Sequence, residues 1–185
     1  STSQTGGRVS IQSGTSSSIS SGSLTLSTGS NSVNSGNAKF LSGNAVQASG
    51  SVEIKTGDSS TGSAGNIAVS TGTSAGSQEG ASISFEAGAS ESSTGGSVSI
   101  KSGSSLQESS GRLAVETADS PLQTGEILFS TGKSVAASTG SISLESGNSQ
   151  AGVAGSLKLV AGASDTNSGA AVHLEAGYSA SSTGG

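Results

Sequence analysis

The sequence predicts an all-β fold, namely a parallel β-solenoid of about twelve coils with 14–16 residues per coil and a flattened, two-sided cross-section. Three observations support this prediction. A turn residue recurs every 14–16 residues, two apolar columns precede it, and a serine follows it two positions later. A short, fixed period of this kind is the sequence signature of a stacked repeat architecture.

The turn residue is the position on which the twelve repeats are aligned, and the repeats are numbered in the order of their turn residues. We expect its glycine to adopt a positive φ, a conformation that glycine tolerates best. Ala118 replaces the glycine in repeat 8 and Pro121 follows it, so we expect that corner to be rearranged or mildly strained. The turn residues are Gly14, Gly29, Gly43, Gly57, Gly72, Gly88, Gly103, Ala118, Gly132, Gly147, Gly162 and Gly177.

The five residues before each turn residue form what we call the arm of the repeat. Its first and third positions are apolar, and its fifth is always Ser, Thr or Ala. Because side chains alternate along a strand, these three positions face one side, which is predicted to be the interior. The first column comprises Val9, Leu24, Ala38, Val52, Ile67, Ile83, Val98, Leu113, Ile127, Ile142, Leu157 and Val172. The second comprises Ile11, Leu26, Phe40, Ile54, Val69, Phe85, Ile100, Val115, Phe129, Leu144, Leu159 and Leu174.

A hydroxyl column lies two residues after the turn residue. It is serine in every repeat except at Asn31 and Ala45. A serine inside a bend can form hydrogen bonds with backbone groups that the bend leaves unpaired. We therefore predict that this side chain stabilises the bend. The serines are Ser16, Ser59, Ser74, Ser90, Ser105, Ser120, Ser134, Ser149, Ser164 and Ser179.

Composition excludes several functional classes. The chain has 185 residues, of which 30 are glycine, 10% are charged and none is cysteine. With a net charge of −5 and only 7 Lys and Arg residues, it lacks the basic stripe that nucleic-acid binding requires. No apolar run approaches the roughly 20 residues of a membrane span. The lack of cysteine excludes disulfides and thiolate-bound zinc.

No catalytic, cofactor-binding or metal-binding constellation is found, and the chain is predicted not to be an enzyme. His173 is the only histidine, and a lone imidazole lacks the partners that a triad or a metal site needs. Calcium-binding β-rolls require recurrent aspartates, whereas this chain has only Asp58, Asp119 and Asp165. Exposed Ser and Thr residues could carry O-linked glycans, which are therefore kept as an alternative partner.

Charged residues recur at the fourth position of the arm, which faces outward. Glu86, Lys101 and Glu116 alternate in sign over three successive repeats. On stacked coils these side chains would lie above one another, so we expect a cross-strand ladder of ion pairs that sets the register.

The array has no polar caps, and residues 1–185 are interpreted as a single repeat domain that is uncapped at both ends. Its last residues have the phase at which a further coil would begin. Either the chain is a segment of a longer array, or copies stack head to tail into a homopolymer. The polymer-interface candidates are Val9, Ile11, Val172 and Leu174.

The repeat G-x-φ-x-φ-x-S/T-G-x-S, in which φ is apolar, resembles the Gly/Ser-rich β-solenoid repeats of microbial or algal extracellular fibre and surface proteins. It is also similar in coil length to plant ice-binding β-rolls. The first resemblance covers the whole chain and implies a secreted structural protein at an extracellular or cell-surface location. It implies no functional residues.

We therefore expect a structural protein that forms an extracellular filament or surface appendage by head-to-tail stacking of coils. The alternatives are an adhesin or glycan-binding stalk, and an ice-binding β-solenoid. Ice binding requires a regular outward lattice of threonine, but the outward row between the apolar columns is irregular and partly charged. The regular Ser/Thr row at the end of the arm faces inward in the predicted register.

Overall fold

The computed structural model describes residues 6–179 and 183–184. Within these residues the chain contains no helix and no strand, and its backbone is irregular apart from a recurring bend. The predicted parallel β-solenoid is therefore wrong. Residues 1–5, 180–182 and 185, on which part of the prediction about the chain ends rests, lie outside the described residues.

The missing sheet is explained by where the backbone hydrogen bonds lie. Four backbone–backbone bonds are present in the described part of the chain, at N···O distances of 2.8–3.0 Å. Each joins the carbonyl of a turn residue to the amide eight residues later, as between Gly103 and Gly111. None joins the arms of successive repeats, so the ladder that defines a parallel sheet is not formed.

Burial is correspondingly slight. No described residue is buried, and the accessible surface is 18776 Å², against about 7,800 Å² for a folded monomer of this mass. Ordering a residue costs ~1–2 kcal/mol, whereas fully burying a large apolar side chain contributes ~1.5–3 kcal/mol. Burying the two apolar side chains of a repeat therefore contributes less free energy than ordering its roughly fifteen residues costs. The repeats accordingly form local loops without a packed core.

The bends in the backbone recur with the same period as the sequence repeat. A bend occurs eleven times, and in ten of these cases it begins one residue after the hydroxyl column. The bends comprise residues 17–19, 32–33, 46–47, 60–62, 76–78, 91–93, 106–108, 121–122, 135–137, 150–152 and 165–167.

The chain divides into two units, Ser1–Val98 and Ser99–Gly185. The first unit contains the six bends up to residues 91–93. The second contains the five bends from residues 106–108 onward. The division falls inside the arm of repeat 7.

The turn residues do not adopt the predicted conformation. Among the described residues only Gly76 has a positive φ, at 79°, and it lies in a bend and not at a turn position. The prediction of a positive φ at the turn glycine is wrong, because the chain reverses gradually over nine residues and not in a tight corner. Ala118 likewise has no positive φ, so the strain expected at that position is absent.

Candidate functional site

Four repeats form a loop that is closed by a hydrogen bond from an amide to the carbonyl of the turn residue eight residues earlier, and in all four the hydroxyl column stabilises the bend inside the loop. In repeat 7 the Ser105 Oγ accepts hydrogen bonds from the Glu108 amide at 2.9 Å and the Gln107 amide at 3.3 Å. The predicted role of the column is confirmed. The same acceptor role is filled by Ser16, Asn31, Ser59, Ser90, Ser120, Ser134, Ser149 and Ser164.

Two repeats depart from this pattern and show its limits. Ser74 instead donates its hydroxyl to the Glu79 carbonyl at 2.9 Å, across the loop that contains Gly76. Ala45 has no hydroxyl, yet the bend at residues 46–47 still forms. The hydroxyl therefore stabilises the bend without being required for it.

The mouth of each loop is packed by small residues. A Cβ atom added to Gly96 would lie 3.3 Å from the Ala87 Cβ and from the backbone N and O of Gly88. The residue before the turn therefore faces the closing glycine of its own loop, and not the interior of a solenoid coil that it was predicted to share with the apolar columns. The half-buried described residues are Ser13, Thr56, Ala87, Ser102, Ala161 and Ser179, and the first five belong to this column.

The same geometry bears on ice binding. A Cβ atom added to Gly36, Gly125 or Gly140 would lie 3.3–3.9 Å from the Cγ2 atom of Thr28, Thr117 or Thr131, respectively. These threonines point into their own loops and do not form an outward lattice. The structure therefore gives no support to an ice-binding face built from this row.

The apolar columns, in contrast, are exposed. Their large side chains expose 45–86% of their surface, so the predicted aliphatic interior is not formed. Among the polymer-interface candidates, Val9 exposes 86% and Ile11 69%, both in the first unit, while Val172 exposes 53% and Leu174 83% in the second. Val9 and Leu174 are the most exposed large members of their columns.

The columns of repeats 2–4 converge on one open groove of about 540 Å³ in the first unit. Sequence reasoning missed this groove because the apolar pattern is the same in neighbouring repeats and does not show which of them converge. The groove is lined by Leu24, Leu26, Phe40, Val52, Ile54, Glu53 and Lys55.

The predicted charge ladder is not formed. In the described part of the chain the one contact between a basic and an acidic side chain joins His173 Nε2 and Glu175 Oε2 at 3.2 Å, as a hydrogen bond, and both side chains are exposed. Glu86, Lys101 and Glu116 form no ion pair because their arms are not paired in register. The sequence contained a signal for the observed pair, since residues two apart in an extended segment lie on the same side.

A second hollow, of about 400 Å³, lies at the turn of repeat 8. It is lined by Glu116, Thr117, Ala118 and Asp119. Two carboxylates alone do not form a metal site, and no group of three or more His, Cys, Asp or Glu residues suited to a metal occurs in the described part of the chain. Among the same residues, no helix is long and apolar enough to cross a membrane.

Comparison of the chain with protein-family models, curated proteins and solved structures gives no match.

Proposed function

We propose that this chain is a structural protein that self-associates into an extracellular filament or surface appendage. Association uses the exposed apolar columns of the arms and not a stack of solenoid coils. The observation that carries the proposal is the 45–86% exposure of the large column side chains.

Removing apolar surface from water is the main favourable term in protein association. Single exposed apolar residues are ordinary on protein surfaces, but large contiguous apolar patches mark interaction sites. Here the apolar pair recurs at a fixed position in successive arms, so each copy presents many similar patches. A second copy offers the same patches in return, which favours association of the chain with itself.

The loops support a spacing role. Most are stabilised by hydrogen bonds between residues two or three apart, as at Ser105 and Ser149, and these bonds involve no contact between repeats. The loops place successive turn residues 14–16 residues apart along the chain. The extracellular location belongs to the proposal and rests on the resemblance to extracellular fibre and surface proteins.

Sedimentation velocity across a concentration series, followed by electron microscopy of the associated fraction, tests the proposal. We expect species larger than the 17.3 kDa monomer to grow with protein concentration, and elongated particles in the images. A chain that stays monomeric at all concentrations, and forms no filaments in its native material, would contradict the proposed function.

A further inference from the structure

We propose that copies of this chain associate through the edges of their arms, which pair in parallel with an offset of one repeat, so that each arm lies beside the arm of the next repeat in another copy. The inference rests on the proposed function, because it specifies how the chain associates with itself. Three observations carry it, namely the unpaired backbone of the arms, the sides on which their side chains lie, and the order of their charges.

The backbone of the arms is available for pairing. None of the backbone–backbone hydrogen bonds in the described part of the chain involves an arm residue. A contact that covers the apolar columns also removes water from the neighbouring amides and carbonyls, and these groups are costly to bury unpaired. A lipid surface offers them no hydrogen-bonding partners, whereas a second extended backbone offers a regular series. The expected occupant is therefore a strand-like segment.

Two side-chain contacts show how an arm presents its residues. The Ser143 hydroxyl donates to the Glu145 carboxylate, and His173 Nε2 is hydrogen-bonded to Glu175 Oε2 at 3.2 Å. In both arms the second and fourth positions therefore lie on the same side, as in an extended strand, and no described arm residue has a positive φ. When two such arms pair by their edges, residues opposite each other lie on the same face of the pair. Outward charges of one arm then lie beside outward charges of the other.

The parallel direction follows from the size of the inward side chains. The first and third positions of the arm are large in almost every repeat, and the fifth is always small. A parallel pair places large residues beside large ones at both positions. An antiparallel pair centred on the third position places the large first residue opposite the small fifth residue. The parallel pair therefore covers more apolar surface.

The charges select the offset between the copies. Nine charged residues occupy the outward second and fourth positions of the arms, with His173 counted as neutral. Pairing each arm with the same arm of another copy would place all nine opposite an identical residue, and like charges in opposite positions are destabilising. An offset of two repeats would give three pairs of glutamates and one pair of opposite charge. The nine residues are Lys39, Glu53, Lys55, Glu86, Lys101, Glu116, Glu145, Lys158 and Glu175.

An offset of one repeat gives three pairs of opposite charge and no pair of like charge. The pairs are Lys39 with Glu53, Glu86 with Lys101, and Lys101 with Glu116. No other offset gives more than one pair of opposite charge. All five side chains are exposed, and within the described part of the chain none of them forms an ion pair. They are therefore available to pair between copies.

The offset also provides a route to an extended assembly. Each arm has two edges, so one copy can pair with a different neighbour at each edge. Because the offset joins different repeats of the two copies, the contact is heterologous and a third copy can add in the same way. Repeated addition leads to an open filament, which is the assembly that the proposed function requires.

Charge variants in repeats 6–8 test the pairing. The association constant is measured by sedimentation equilibrium for the full chain, for Lys101→Glu, and for the triple variant Glu86→Lys, Lys101→Glu and Glu116→Lys. Lys101→Glu turns two of the three opposite pairs into like pairs, so we expect association to weaken about tenfold. The triple variant reverses all the signs in these two pairs and is expected to restore association.

Lys55→Glu is the matched control for Lys101→Glu. It makes the same change of net charge at the same arm position, in repeat 4. The arms of repeats 3 and 5 have Leu41 and Ser70 at that position, so an offset of one repeat places no charge opposite residue 55. This variant is expected to associate like the unmodified chain.

Disulfide trapping measures the offset itself. The chain has no cysteine, so variants with a single cysteine report contacts between copies. Ser99 and Ala114 lie at the outward second position of repeats 7 and 8. Paired strands lie about 4.8 Å apart, which is within the Cα···Cα range of a disulfide. We expect a mixture of Ser99→Cys and Ala114→Cys to form mainly the mixed disulfide on oxidation.

The outcomes distinguish this inference from the proposed function. The offset pairing is overturned, and the proposed function stands, if the chain associates but Lys101→Glu weakens association no more than Lys55→Glu, or if the triple variant fails to restore it. The same conclusion follows if Ser99→Cys copies crosslink with one another as readily as with Ala114→Cys copies. If the unmodified chain does not associate at all, both are overturned.

Discussion

The arms and the bends of this chain differ in what stabilises them. Large apolar residues occur in both, and they expose 81–104% of their surface in the bends and 45–86% in the two columns of the arms. The bends are supported by side-chain-to-backbone hydrogen bonds that span two or three residues. The arms have no backbone hydrogen bonds to one another in the described part of the chain.

The difference shows how far local interactions can organise a sequence of this composition. A bend comprises two or three consecutive residues and most bends are stabilised by hydrogen bonds within the same repeat, so each repeat forms its bend independently. An arm has an apolar stripe and unpaired backbone groups, and both need a partner that is distant in sequence or in another molecule. We therefore expect mutations in the arms to alter association, and mutations in the loops to alter only local order.

The largest effect is expected from removing apolar surface in the arms. The double change Phe40→Ser and Ile54→Ser should weaken self-association by ~3–6 kcal/mol, because each large side chain contributes ~1.5–3 kcal/mol when fully buried. The measurement is the association constant from sedimentation equilibrium. Leu106→Ser with Val135→Ser makes a comparable change in two bends and should leave association unchanged. An equal decrease of the association constant in both double variants would show that the arms contribute no more to association than the bends.

An intermediate effect is expected at the mouth of a loop. At Gly96 a valine side chain would meet Ala87 and Gly88, and overpacking of this kind costs ~1–3 kcal/mol. Gly96→Val should open the loop and lose the 2.8 Å bond from the position 96 amide to the Gly88 carbonyl. Amide hydrogen exchange at position 96 should then be at least about fivefold faster.

Gly96→Ala is the matched control for this variant. Alanine already occupies the closing position at Ala170, whose amide donates to the Gly162 carbonyl at 3.0 Å. A loop with alanine at position 96 is therefore expected to close after a shift of a few tenths of an ångström. If the amide at position 96 is as well protected from hydrogen exchange in Gly96→Val as in Gly96→Ala, packing at the mouth does not keep the loop closed.

The smallest effect is expected from the hydroxyl column. Ser105→Ala removes the acceptor for the Glu108 and Gln107 amides and should cost about 0.5–1.5 kcal/mol of local stability, the contribution of a typical hydrogen bond. Faster amide exchange at Glu108 reports the loss. Ala45→Ser is the reciprocal change and should slow exchange in the bend at residues 46–47. If neither variant changes exchange, the hydroxyl does not stabilise the bend.

The sequence predicted one local feature correctly, because the hydrogen bonds of the Ser105 hydroxyl lie within a single repeat. A second local prediction, the positive φ of the turn glycines, was wrong. The coil-on-coil ladder and the ion pairs among Glu86, Lys101 and Glu116 were predicted wrongly, because both required successive arms to pair in register. A pattern shows which residues could share a face, but not whether burying that face compensates for ordering the chain.

The sequence by itself determined the fifteen-residue period, the position of the bends and the side chain that stabilises most of them, since these follow from hydrogen bonds between near neighbours. Only the tertiary structure decided that the apolar columns remain exposed, that repeats 2–4 share a groove, and that Glu53 and Lys55 lie at its rim. These features depend on the free-energy balance between backbone ordering and apolar burial across repeats, and that balance is a property of the whole chain and not of any one repeat.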